Sequence, residues 1–227
     1  TNGLAYQQVV YSLPALSPDL IEILPLYTTC ITELGVGSRS YAETQAWQAS
    51  ICGGLNCFSS IKSAQDDEQK VQATLTFSSK CLTANYDQLS ALLAETIAEV
   101  RFDEEQRIAE LVDQITTRKL SSITGSGHSL AMSAASSGLS PTAQMHHRYA
   151  GLEGLGRLKT LREALREPAE RQALLRRFEA LHTLLQSAPR QFLVIGEPGQ
   201  SSLLTTPLQP LWAGGAELQN VSPFTLP

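Results

Sequence analysis

Ser122-Ile123-Thr124-Gly125-Ser126-Gly127-His128-Ser129 is the stretch whose residue types come nearest to chemistry. Glycines and hydroxyls ahead of a helix can cradle a phosphate on backbone N–H groups. No Lys-Ser or Lys-Thr follows to complete a Walker A loop, and no Gly-x-Gly-x-x-Gly follows a strand. The stretch therefore reads as a turn between two helices, with His128 near the cap. No Gly-x-Ser-x-Gly elbow of an α/β-hydrolase occurs. A hydrolase built on His128 is kept as a rival reading.

The other histidines and the cysteines do not assemble a site in the sequence. His146 and His147 are adjacent, and neighbours on a helix point about 100° apart, so they are expected at a surface or interface. His182 lies among Leu181, Leu184 and Leu185 and is expected at the boundary of a helix's buried face. Cys52-x-x-x-x-Cys57 has no second Cys or His pair at ligand spacing. Cys30, Cys57 and Cys81 have the apolar surroundings of buried thiols, so reduced cysteines and an intracellular protein are expected. Between Arg157 and Arg177 seven basic residues alternate with acidic ones, the pattern of a solvated, salt-bridged face. No catalytic residue and no metal ligand is assigned.

These residues need elements to place them. The chain of 227 residues is 42% hydrophobic and 17% charged, an ordinary globular balance that excludes disordered, collagen-like and disulfide-scaffold classes. A net charge of −5 argues against a nucleic-acid partner, which asks for a basic face. No apolar run approaches the length of a membrane span, so no membrane role is expected. The chain opens at Thr1-Asn2-Gly3 without an initiator Met and is expected to be a piece of a longer protein, or a processed one.

Leu4 to Tyr11 reads as a strand. Ser17-Pro18-Asp19 opens a helix with Ser as N-cap, running through Leu34 and kinked at Pro25. Ser40-Tyr41-Ala42-Glu43 has the form of a capping box before a shorter helix. Strands follow at 55–63 and 70–81, the second with Val71, Ala73, Leu75 and Phe77 in alternation. Helices are predicted from Asn85 and from Phe102, then over most of 120–148 and 151–187, renewed at Pro168. Gln191 to Ile195 is a last strand. The fold class is α+β, a small, mostly antiparallel sheet with long helices packed on one face. One domain is expected over residues 1–196, with 197–227 a linker or extended tail.

Several short stretches then carry a resemblance: Thr1-Asn2-Gly3-Leu4, Leu24-Pro25-Leu26, Thr32-Glu33-Leu34-Gly35-Val36-Gly37, Gly53-Gly54, Phe77-Ser78-Ser79-Lys80, Phe102-Asp103-Glu104 and Ser122 to His128. In this order and spacing, to about Lys159, the chain resembles the presequence-protease branch of the insulinase-like, or pitrilysin-clan, zinc metallopeptidases. The resemblance implies a clamshell of four homologous domains around a chamber for short unstructured peptides, with this chain as the third domain. Zinc would then sit in the first domain on an inverted H-x-x-E-H motif, with its Glu as general base. No such motif occurs here, and the corresponding positions fall near Thr28, Ile31 and Thr32. The family's substrate-binding Arg and Tyr belong to the fourth domain.

The resemblance leaves this chain a wall of the chamber. By analogy with the strand edge that takes up peptide in the catalytic domain, its lining is expected at Gly53, Gly54, Leu55 and Asn56. The implied partners are the other domains of the same polypeptide and the peptide itself, with a second copy of the isolated chain expected at high concentration. The implied compartment is the bacterial cytoplasm, or alternatively a mitochondrial or plastid matrix. A stand-alone relative that has lost peptidase activity is the rival within the same fold.

Overall fold

The computed structural model describes residues 2–211, 224 and 226. Four strands, β1 (Leu4–Ser12), β2 (Leu55–Ser63), β3 (Val71–Leu82) and β4 (Arg190–Ile195), form one sheet in the order β2-β3-β1-β4. Every neighbouring pair is antiparallel. Alternation decides the faces: Ala5, Gln7, Val9 and Tyr11 of β1 are buried, while the residues between them are half-buried. Ala73, Leu75 and Phe77 of β3 face the same side, and Tyr11 packs edge-to-face on Phe77 with ring centroids 6.3 Å apart.

That side is covered by helices. They are α1 (Pro18–Cys30), α2 (Tyr41–Ile51), α3 (Tyr86–Glu99), α4 (Glu105–Ser121), α5 (Ile123–Ser136), α6 (Pro141–Ala150), α7 (Leu152–Ala164) and α8 (Pro168–Ser187). The α+β class expected from the sequence, a small antiparallel sheet with helices on one face, is the observed one. At the centre, Tyr27 of α1 meets Phe178 of α8 edge-to-face at 5.6 Å.

Local chemistry explains most boundaries. The capping box is present: Glu43 N donates to Ser40 Oγ at 3.4 Å, and Ser40 N donates to the Glu43 carboxylate at 2.8 Å. Pro18, Pro141 and Pro168 begin α1, α6 and α8, where a missing N–H costs nothing. Pro25 inside α1 cannot donate to the carbonyl of Ile21. The hydroxyl of Tyr149 does so instead, at 2.6 Å.

Four expectations are corrected. The first helix is α-helical only to Cys30 and tightens into a 3₁₀ turn over Ile31–Glu33, as helix ends commonly do. Ser17 takes the N-cap position, but its side chain makes no capping bond to the helix amides. The stretch from Ser122 to Ser129 is not a turn: α5 begins at Ile123, and Gly125 and Gly127 lie within it. The segment after Gly196 is not extended where it is described. Helices α9 (Ser201–Thr205) and α10 (Leu208–Leu211) follow, and Leu204, Leu208 and Phe224 are buried against the core. Apolar area gained by folding back outweighs the breaks that the prolines impose. The remainder of the expected tail, and Thr1, lie outside the described residues.

Two of the short stretches noted in the sequence meet in space. Arg101 N donates to Gly35 O at 2.8 Å and Gly37 N to Glu99 O at 2.9 Å, so the loop after α1 pairs with the chain entering α4. A Cβ at Gly35 would stand 2.5 Å from the carbonyl oxygen of Arg39, which excludes any other residue there. Glu104 locks the junction, accepting from Gly35 N at 2.6 Å and from Tyr41 N, the first amide of α2, at 2.9 Å. Glu104→Gln turns an amide nitrogen toward one of these donors. It is expected to lower the unfolding free energy by about 1–3 kcal/mol in urea titrations at neutral pH. An unchanged midpoint would show that the junction holds without it.

Candidate functional site

The expected lining residues stand at the start of β2, which is an edge strand: one side pairs with β3 and the other pairs with no described strand. The Gly53-Gly54 corner is latched to β3. Gly53 N donates to Lys80 O at 3.1 Å, and the Ser79 hydroxyl donates to Gly54 O at 2.8 Å. Gly54 has φ +124°, a conformation open to glycine and strained for other residues. The corner therefore fixes where the edge begins.

The four residues do not share a face. Leu55 is 8% exposed and belongs to the core, while Asn56 is exposed on the opposite, uncovered side of the sheet. Register extends that uncovered side: Asn56 is opposite Ser78, and Phe58 is opposite Thr76. Across β3 and β1 the same face carries Leu82, Tyr6 and Val10, and on β4 it carries Leu193 and Ile195. Phe58 is 45%, Leu82 59%, Leu193 48% and Ile195 47% exposed. Gln8 bridges the middle of the face to Ser78, Nε2 to Oγ, at 3.2 Å. The result is an open sheet face with apolar side chains at its margins and polar ones at its centre, beside an edge with free backbone groups.

These apolar positions were not singled out in the sequence. Leu193 and Ile195 alternate with Phe192 and Val194, and both sets are hydrophobic, so alternation alone could not say which pair points outward.

The positions corresponding to the metal motif cannot hold zinc. Thr28, Ile31 and Thr32 are all buried. The Thr28 hydroxyl donates to Pro25 O at 3.0 Å, and the Thr32 carbonyl accepts from Gln48 Nε2 at 3.1 Å. Two hydroxyls, one of them already hydrogen-bonded, and an alkyl group do not make a zinc donor set. Among the described residues no group of three His, Cys, Asp or Glu could hold a metal ion.

The histidines are scattered. His128 is exposed on α5, and His146 is exposed on α6 with Nδ1 3.3 Å from Ser133 Oγ. His182 is not the boundary residue expected but is 6% exposed. Its Nε2 lies 2.8 Å from the Ile97 carbonyl and must be the donor there, so Nδ1 accepts from the Tyr27 hydroxyl at 2.8 Å. Burial lowers its pKa, against the raising effect of the Ile97 bond. It ties α8 to α1 and α3 in neutral form. All four cysteines are free. Burial raises the thiols of Cys30, Cys57 and Cys81, the last to about 11, which keeps them protonated and unreactive at neutral pH.

A sequence profile for the domain family described as peptidase M16, subfamily C, associated matches residues 1–161. The chain belongs to this peptidase-associated family. Among similar proteins, the mitochondrial presequence protease of Xenopus laevis is 30% identical over 163 residues, covering 72% of this chain and 16% of that protein. The chain thus spans about a sixth of that relative. Among solved structures, a conserved protein of Enterococcus faecalis V583 superposes with a TM-score of 0.63 at 11% identity, over 98% of this chain and 50% of that one. A peptidase M16 inactive domain from Pseudomonas fluorescens gives 0.53 at 14% identity, over 97% of this chain and 48% of that one. These likenesses carry the fold.

Proposed function

We propose that this chain is a non-catalytic wall domain, the third of four, in a zinc metalloendopeptidase that degrades short unstructured peptides. The observation that carries the reading is the uncovered sheet face of the chain, bounded by the free edge of β2. An extended peptide can add to such an edge through main-chain hydrogen bonds while its apolar side chains meet the face. The presequence proteases among its relatives support peptides as the substrate class. Within this reading Gly53 and Gly54 position the edge, Asn56 and Phe58 line the chamber, and Leu55 supports the strand from the core side.

The zinc and its general base then belong to another domain, and this chain's partners are the remaining domains and the peptide. Residues 1–196 carry the wall and 197–227 lead toward the next domain. The mitochondrial and chloroplastic names of the relatives support an organelle matrix over the bacterial cytoplasm as its compartment.

In the full-length protein, Phe58→Asp is expected to lower kcat/KM for an unstructured peptide about ten-fold, which corresponds to about 1.4 kcal/mol. Its thermal midpoint should stay close to that of the parent, because Phe58 is 45% exposed. Cleavage at the parent rate would reduce the face to a structural role. Hydrolysis of the same peptide by this chain alone, insensitive to chelator, would overturn the assignment as a non-catalytic domain.

A further inference from the structure

On the far side of the molecule from the open sheet face, α1, α4, α7 and α8 enclose a cavity of about 250 Å³ beside the Pro25 interruption. Pro25, Leu26, Ile115, Leu158 and Leu161 give it an apolar wall. Its polar lining is strongly one-sided: Lys119, Arg148, Arg157 and Arg177 against the single carboxylate of Glu22.

The cations differ in how far they are already satisfied. Arg157 is paired with Glu22 at 3.4 Å and Glu153 at 2.8 Å. Among the described residues neither Lys119, Arg148 nor Arg177 has a carboxylate within 4 Å. Lys119 is half-buried, and its Nζ reaches only the Tyr149 carbonyl at 3.4 Å. Arg177 donates one terminal nitrogen to Asp19 O, while its Nε is buried without a hydrogen-bond partner. A buried donor left unmatched costs free energy comparable to a lost hydrogen bond. An apolar slot with a few convergent polar groups is the usual form of a small-molecule site.

We propose that this cavity binds a small amphiphilic carboxylate, its aliphatic part against Leu26, Leu158 and Leu161 and its carboxylate facing Lys119, Arg148 and Arg177. Charge complementarity selects the anion, and the apolar wall selects a ligand with a hydrocarbon body over a bare anion. Burial lowers the pKa of Lys119, the condition an incoming carboxylate relieves. The volume is too small for a macromolecule.

Octanoate titrated calorimetrically into the chain is the test, with octylamine and inorganic phosphate as controls. Saturable one-to-one binding of octanoate is expected, at least ten-fold tighter than either control. Lys119→Gln should weaken it about ten-fold, Lys119→Arg should retain it, and Arg148→Gln should give a second, separate loss. Binding of octylamine as tight as octanoate would leave only an apolar slot, and equal binding of phosphate only a basic patch. Either result, or no saturable binding, overturns the proposal, as would unchanged affinity in folded Lys119→Gln.

Discussion

Leu55→Asp is expected to collapse the stability of this domain, while Asn56→Asp, one residue along the same strand, leaves it almost unchanged. Leu55 is 8% exposed and packs in the core, so the substitution removes a buried aliphatic side chain and leaves an unpaired charge in its place. Truncation of a buried leucine alone costs about 2–5 kcal/mol, and the charge adds to that. Asn56 is exposed on the open face, where a change of this kind stays within about 0.5 kcal/mol. Urea denaturation followed by circular dichroism separates the two. Equal midpoints for both variants would mean that β2 is not seated as described. The contrast also matters for function: a charge at Leu55 reports on folding, whereas Asn56 and Phe58 are the positions from which a chamber role can be read.

Acidification is expected to destabilise the domain through His182. The folded pKa is lowered by burial, so the unfolded chain, with the usual value near 6.5, binds the proton more readily. The contribution of the neutral ring is present above about pH 6.5 and is lost as pH falls through that value toward the folded pKa. His182→Gln keeps a donor for the Ile97 carbonyl but deprives the Tyr27 hydroxyl of its ring acceptor. A loss of about 1–3 kcal/mol at pH 8 is expected, with a flatter dependence between pH 7 and 5. Urea midpoints at a series of pH values test both parts. A variant whose profile ran parallel to the parent's would assign the acid sensitivity to other groups.

Features under short-range control were legible along the chain. The capping box at Ser40 and Glu43, the N-terminal prolines of α1, α6 and α8, and the alternation from Val71 to Phe77 each act within one turn or a few strand residues. They therefore placed their elements, and with them the α+β class. The ordered short stretches, Thr32 to Gly37 and Phe102 to Glu104 among them, carried the family. Their spacing reflects contacts that the fold preserves, such as the pairing of Gly35 with Arg101 and the Glu104 lock.

Other features depend on partners far apart in the chain, and folding alone brings those together. Glycine propensity at 125 and 127 predicts a break, yet helix cost per glycine is only about 1 kcal/mol, and α5 persists through both. His182 reads as a boundary residue until Tyr27, 155 positions away, supplies its hydroxyl. The sequence of β2, Leu-Asn-Cys-Phe-Ser-Ser-Ile-Lys-Ser, alternates too weakly to orient itself. Pairing of Leu55 with Ser79 and of Phe58 with Thr76 sets which side chains enter the core and which stand on the open face. The cationic cavity draws its wall from four helices between residues 22 and 177. Its cations read locally as an ordinary solvated face, since charge sign is written in the sequence but the distance between charges is set only when the helices pack.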